Sequence, residues 1–175
     1  MLPSTATSRR LSLPRKPQRP AGPRRPAVHP PSVPPGRVFV DSGAFIGLFS
    51  ADDQHHDDAD ALFRACIRHK TILVTSQLVI AEVHRFLLFN AGIDAAAVAL
   101  DKISASPALT IEYTTAEHHR SGRAWLEKLG DQVISYTDAV SFAVMVASRC
   151  DAALSFDDDF VIAGFTLLRA ELPSP

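Results

Sequence analysis

Cysteine is almost missing from this chain: of 175 residues only Cys66 and Cys150 carry a thiol. They lie far apart in stretches of helical character, with no Cys-x-x-Cys and no Cys/His ligand spacing. A disulfide framework and a structural zinc site are therefore excluded. Buried thiols in a reducing cytosol, and hence a cytoplasmic protein, are the expectation. No apolar run reaches the roughly 18 residues of a membrane-spanning helix, and the N-terminus lacks the apolar centre of a secretory signal. No Gly-x-Gly-x-x-Gly follows any strand-like run, which argues against a dinucleotide site. What remains is a single-domain length with an ordinary hydrophobic fraction of 46%.

Acidic residues are lacking from one region only. Residues 1–37 hold eight Lys or Arg and no acid, whereas the other 138 hold ten against nineteen acids, so the net charge of −1 conceals +8 beside −9. Residues 1–36 also carry most of the prolines and few large apolar side chains. Such a composition does not offset the entropy of ordering, and a disordered basic tail is expected. A polycationic arm holding RNA and an organelle-targeting segment are rival readings. An idle tail, or a stretch translated from a wrongly assigned upstream start, is favoured over both, because helix formers in Arg-rich amphipathic phase are missing. The folded domain is expected over 37–175.

What is present is organised around Arg37 to Ser50. A β-branched and aromatic run, Val38-Phe39-Val40, is followed by Asp41-Ser42-Gly43 and a second apolar run. This reads as a buried strand, a tight turn and a helix. An acid at the end of such a strand stands on the edge where ligands gather in open parallel sheets, although Asp41 could equally cap the helix.

Further along, Ala51 to Asp60 is polar, and the segment to Lys70 reads as a helix with Ala61, Leu62, Ala65 and Cys66 inward. Thr71–Thr75 reads as the second strand, and Ser76 as the cap of a helix reaching Asn90, with Gly92 just beyond it. That helix is apolar on most sides and is interrupted by Glu82, whose i−4 and i+4 neighbours are Leu78 and Phe86. A lone carboxylate buried in that row would be costly, so a cation is expected nearby, or a simple surface pair with Arg85. Asp94–Ser106 reads as a helix, Leu109–Tyr113 as the third strand and Thr114–Leu129 as a Thr-capped helix. The pairs His55-His56 and His118-His119 are poor metal candidates, since adjacent helical residues point about 100° apart. Ser135-Tyr136-Thr137-Asp138 leads into a nearly all-apolar helix over Ala139–Arg149, with Asp138 where the dipole favours an anion. Asp151–Phe156 reads as a strand ending at Asp157-Asp158-Asp159, and Phe165–Leu168 as a last strand.

Alternating strands and helices imply α/β architecture, a parallel sheet of four to five strands covered on both faces. Right-handed crossovers put every strand-to-helix junction on one edge. With order 3-2-1-4-5, Asp41 and Asp157 emerge side by side, and Glu82 and Asp138 start from the same edge. Four carboxylates meeting there need a counter-charge. Oxygen ligands without Cys or His select Mg²⁺ or Mn²⁺, and the matching chemistry is metal-assisted phosphodiester hydrolysis.

These residues resemble a known family. Val38-Phe39-Val40-Asp41-Ser42, a glutamate in the helix after the second strand, Tyr136-Thr137-Asp138-Ala139 followed by Ser141, and Leu154-Ser155-Phe156-Asp157-Asp158-Asp159-Phe160 are similar to the PIN-domain ribonucleases, especially the VapC-type toxins of prokaryotic toxin–antitoxin pairs. The resemblance covers residues 37 to about 170. It implies a three-layer α/β/α fold, catalytic and metal-binding roles for Asp41, Glu82, Asp138 and Asp157, and supporting roles for Ser42, Thr137, Ser155 and Asp159. Ser155 stands where the family has Thr. The resemblance further implies Mg²⁺- or Mn²⁺-dependent cleavage of single-stranded or looped RNA to a 3′ hydroxyl and 5′ phosphate, a homodimer, and a small antitoxin that inserts a segment into the acidic cleft.

Two other classes remain beside it. A catalytically silent PIN-like scaffold binding RNA or protein would keep the fold without the metal, and a housekeeping RNA-processing nuclease would keep the chemistry without the toxin role. An aspartyl-phosphate phosphatase is disfavoured because Asp41-Ser42-Gly43 has no second acid two residues on.

Overall fold

The computed structural model of the protein describes residues 36–169. The tail expected over 1–36 lies outside the described residues apart from Gly36, as do the last six residues of the expected domain. Four parallel strands, β1 (Arg37–Val40), β2 (Ile72–Ser76), β3 (Leu109–Glu112) and β4 (Ala152–Leu154), form one sheet in the order β3-β2-β1-β4. The register sets Phe39 opposite Val74 and Ala153, and Val40 opposite Leu154. Val38, Phe39 and Val40 are wholly buried, as a central parallel strand covered on both faces must be.

The fifth strand expected over Phe165–Leu168 is reduced to one parallel bridge, Ala153 with Leu167. Ala153 N–H donates to the Thr166 carbonyl and Leu168 N–H to the Ala153 carbonyl, both at 2.8 Å. β4 is only three residues long, shorter than the Asp151–Phe156 run expected, and offers little more to pair with.

Seven helices lie among the described residues: α1 (Ser42–Phe49), α2 (His56–Arg68), α3 (Gln77–Asn90), α4 (Ile93–Ala105), α5 (Ala116–Lys128), α6 (Tyr136–Ala147) and α7 (Asp159–Ile162). They pack in pairs, α1 on α2, α3 on α4 and α5 on α6, giving the three-layer α/β/α arrangement. On α2 the buried residues are Ala59, Leu62, Phe63 and Cys66, whereas Ala61 is exposed. The inward face is thus rotated from the one expected, because Phe63 reaches the Phe45 ring at 5.7 Å.

The α6 helix runs through the core. Phe142 meets Phe160 edge-on at 5.2 Å and Trp125 of α5 at 5.6 Å, and Phe160 in turn lies 6.2 Å from Phe39 of β1. Each such ring contributes roughly 1.5–3 kcal/mol by burial. This chain of rings fixes α6, and with it Asp138, against the sheet. The α5–α6 contact is close enough to need a glycine: a Cβ on Gly122 would stand 2.8 Å from Val140 Cγ2.

Two helices end on a left-handed residue without glycine. After α2, Lys70 (φ 54°) donates to the Ile67 carbonyl and Thr71 to the Cys66 carbonyl. After α6, Arg149 (φ 52°) and Cys150 repeat the pattern onto Val146 and Met145. These are Schellman turns that deliver the chain into β2 and β4. Cys150 therefore lies just past a helix rather than within one. Burial pushes the Cys66 and Cys150 thiols up to about 11, so both stay protonated. No described helix is long and apolar enough to cross a membrane.

Candidate active site

Asp41 directly follows β1 and precedes the first residue of α1. Its N–H donates to the Leu154 carbonyl at 3.1 Å, so the backbone is held on the β4 side. Beside it, Thr75 Oγ1 donates to the Val40 carbonyl at 2.8 Å and secures the β2 side. Asp41 makes no side-chain capping bond to α1, so the capping explanation fails. The side chain is 4% exposed, and its Oδ1 is buried without a hydrogen-bond partner.

The Asp41 carboxyl is pushed up to about 7, first by burial and then by the charge of Asp138, with a smaller contribution from Glu82. The Ser155 hydroxyl and the Ser42 N–H act the other way. The structure thus brings Asp138 and Glu82 within electrostatic reach of Asp41. Asp157 is joined to it through Ser155: Ser155 Oγ donates to Asp41 Oδ2 at 2.9 Å and accepts from Asp157 N–H at 3.1 Å.

Asp138 is the third residue of α6, which begins at Tyr136, three residues earlier than expected. Ser135 is its N-cap, and the two form a capping box: Asp138 N–H donates to Ser135 Oγ at 3.1 Å and Ser135 N–H donates to Asp138 Oδ2 at 3.3 Å, with the Ser135 hydroxyl also donating to Asp138 Oδ2 at 2.6 Å. Ser-x-x-Asp ahead of an apolar run was the available signal for this start. Thr137 lies half-buried between them.

Glu82 sits differently from the expectation. It is exposed, and its neighbour Phe86 is 38% exposed, so the carboxylate is not enclosed in a greasy row and needs no buried cation. The α3 helix buries only Val79, Val83 and Leu87, a stripe that leaves Glu82 on the rim.

The three consecutive acids part company. Asp157 is half-buried and its Oδ1 accepts from the Asp159 N–H at 3.0 Å, Asp158 faces solvent and pairs with Arg169 at 3.2 Å, and Asp159 is buried. Among the described residues no three His, Cys, Asp or Glu side chains are drawn together closely enough to grip an ion as they stand. The acids share an edge, but more loosely than expected, because Asp138 is turned onto Ser135 and Asp41 onto Ser155. The donor set is nonetheless all hard oxygen, and the orphaned Oδ1 of Asp41 is the acceptor a hard cation would fit.

The paired histidines are used separately. His56 Nδ1 is 2.8 Å from the Gly47 carbonyl, His55 stacks on Phe156 at 4.2 Å, His118 completes the capping box of Thr115, and His119 lies between Thr114 and Tyr136.

A parallel sheet ordered 3-2-1-4 with acids collected at its carboxyl edge defines a PIN-type α/β domain, and the PIN domain family pattern matches residues 38–165. The chain belongs to the PIN domain family. It is 33% identical over 134 residues to the 23S rRNA-specific endonuclease VapC20 of Mycobacterium tuberculosis, covering 77% of this chain and 99% of that one. The crystal structure of that VapC20, described as a sarcin–ricin loop cleaving toxin, superposes with a TM-score of 0.70 over 76% of this chain and 99% of that one. VapBC2 from Rickettsia felis, bound to a DNA fragment from its promoter, shares the fold at 14% identity, with a TM-score of 0.58 over 77% of this chain and 99% of that one.

Proposed function

We propose that the protein is a Mg²⁺- or Mn²⁺-dependent endoribonuclease, the toxin of a toxin–antitoxin pair, that hydrolyses a phosphodiester bond in looped RNA of the sarcin–ricin type. The observation that carries this is Asp41: a buried carboxylate with one unpartnered oxygen, pressed by the charges of Asp138 and Glu82. VapC20 supports the choice of RNA.

In this reading Asp41, Asp138 and Asp157 hold the ion and Glu82 is a further ligand or orients water from the rim. A divalent ion held there would supply an activated water and charge stabilisation for the leaving oxygen. Ser155 keeps Asp41 and Asp157 in fixed relation, and the Ser135 box keeps Asp138 at the start of α6. Thr75 and the Leu154 carbonyl prevent the Asp41 backbone from retreating. Ser42, Thr137 and Asp159 support these positions. The products are a 3′ hydroxyl and a 5′ phosphate.

The same reading includes a homodimer and a small antitoxin whose cationic segment would occupy the acidic edge. A protein partner is supported by apolar residues on α3 and α4, where Phe89 is 75% and Ile93 76% exposed.

The deciding experiment is cleavage of a sarcin–ricin stem-loop RNA by the purified chain in Mn²⁺. Asp41→Asn is expected to abolish cleavage while leaving the circular dichroism spectrum unchanged; cleavage by the purified variant refutes the assignment. The looseness of the acid cluster favours one second reading, a silent RNA- or protein-binding scaffold. Calorimetric titration showing no Mn²⁺ uptake would establish it.

A further inference from the structure

The body of the chain, from residue 38 on, carries nineteen acids against ten Lys or Arg, so its surface does little to attract a phosphate backbone. Beyond the metal, an RNA that reaches the acidic edge gains from a contact that does not depend on charge. Stacking of an unpaired base on an aromatic ring is such a contact.

Tyr136 is the ring placed for it. It is 46% exposed at the first position of α6, two residues before Asp138. It is also held still. Gln77 Oε1 accepts from Thr114 N–H at 2.8 Å, which directs the Gln77 amide N–H to Thr114 Oγ1 at 2.6 Å. The Thr114 hydroxyl in turn meets His119 Nε2 at 2.9 Å, and His119 Nδ1 shares a hydrogen bond with the Tyr136 hydroxyl at 2.7 Å. The His119 and Tyr136 rings lie 5.8 Å apart and nearly parallel. Gln77 follows the end of β2 and Thr114 the end of β3, so this relay is anchored on the same sheet edge as the acids. An exposed ring fixed through a relay of three residues loses little entropy when a ligand lands on it. Of the other rings at this edge, Phe156 already has His55 stacked flat against it, 5° from parallel, and Tyr113, just past β3, is 74% exposed but lies on the far side of the sheet order from β4.

We infer that Tyr136, positioned by His119, is a stacking platform for an unpaired RNA base next to the scissile phosphate. It fixes the looped substrate by a neutral contact that the acidic body does not oppose. The inference rests on the nuclease reading above and adds to it a determinant of substrate choice.

The test uses the full chain, Mn²⁺ and the sarcin–ricin stem-loop RNA. Tyr136→Leu should raise KM by about tenfold or more with a smaller effect on kcat, and that ratio should not change with salt. Tyr136→Phe, which keeps the ring but loses its bond to His119, should raise KM by clearly less than Tyr136→Leu. Replacing one loop nucleotide by an abasic residue should reproduce the loss in the wild-type chain and add nothing in Tyr136→Leu. Additive losses overturn the platform and leave the nuclease reading standing. Equal falls in Tm for both variants at unchanged KM make the ring a fastener between α5 and α6, and also overturn it. A wild-type chain that cuts no RNA removes both proposals together.

Discussion

Ser155 Oγ donates to Asp41 Oδ2 at 2.9 Å, closing a contact between residues 114 apart in the chain. The same oxygen accepts from the Asp157 N–H at 3.1 Å, so one hydroxyl ties the ends of β1 and β4 at the point where two candidate ligands meet. Removing it leaves a buried carboxylate without its donor, and hydrogen bonds to charged groups contribute about 1.5–3 kcal/mol. At pH 8, where the Asp41 carboxyl is ionised, Ser155→Ala is therefore expected to lower unfolding free energy by about that amount and to slow RNA cleavage, whereas Ser155→Thr retains both. Urea denaturation read beside cleavage rates checks it; an Ala variant as stable and as active as wild type would show the link to be idle.

Asp41 also sets a pH dependence. Its carboxyl is raised from 3.8 to about 7, mainly by burial and next by Asp138. The folded state thus binds a proton that the unfolded state releases. The associated stability is complete below pH 4 and is lost as pH rises through 7, a change on the order of 4 kcal/mol. In EDTA, Asp41→Asn should match wild type at pH 4 and exceed it at pH 8. Added Mn²⁺ should raise the wild-type Tm more at pH 8 than at pH 5, and the variant's hardly at all. A wild-type stability that climbs from pH 4 to 8 in EDTA contradicts this.

The sheet was legible because its strands are short runs of Val, Phe, Ile and Leu separated by helical stretches, and residues such as Val38 and Phe39 have no other use than burial. The acids were legible as a set because each follows a strand or lies early in a helix that starts from one edge. Their detailed positions were not. Ser135 pairing with Asp138 and Thr75 reaching the Val40 carbonyl are contacts that periodicity does not encode. Glu82 misled because an apolar helix can bury one stripe and leave Leu78 and Phe86 partly open. The last strand shrank to a bridge because pairing depends on the length of β4, not on the composition of Phe165–Leu168.

Glu82 separates a chemical role from a structural one. It is exposed, so Glu82→Gln should leave stability within about 0.5 kcal/mol. Its charge nonetheless acts on Asp41. Losing it should weaken Mn²⁺ binding by about tenfold and lower the pH at which Asp41 titrates. Calorimetry with Mn²⁺ and a pH series of urea midpoints would register both; unchanged metal affinity would remove Glu82 from the site.

Lys70 and Arg149 occupy left-handed backbone that non-glycine residues adopt at a penalty of roughly 1–2 kcal/mol. Glycine relieves it and gives part back as unfolded-state entropy. Lys70→Gly is expected to raise unfolding free energy by about 0.5–1 kcal/mol. Arg149→Gly should gain about as much, since Cys150 N–H reaches the Met145 carbonyl at 2.9 Å just as Thr71 N–H reaches the Cys66 carbonyl at 2.9 Å. Thermal melts of the two single variants decide it, and a fall in Tm for Lys70→Gly would mean its side chain matters more than its backbone.

Gly122 is where α5 and α6 touch backbone to backbone. A Cβ there would lie 2.8 Å from Val140 Cγ2 and 3.2 Å from Val140 Cα and N, and only the first of these atoms can move by a rotamer change. The other two belong to the helix that carries Asp138 and Tyr136. Gly122→Ala should therefore both destabilise the protein, by about 1–3 kcal/mol, and disturb the site by pushing α6 away from α5. Adding Val140→Ala removes the movable clash but not the backbone one, so stability should recover only in part and RNA cleavage should stay depressed. Full recovery of cleavage in the double variant would show that the side-chain clash alone was responsible, and that the seating of α6 against α5 does not govern the acids at its start.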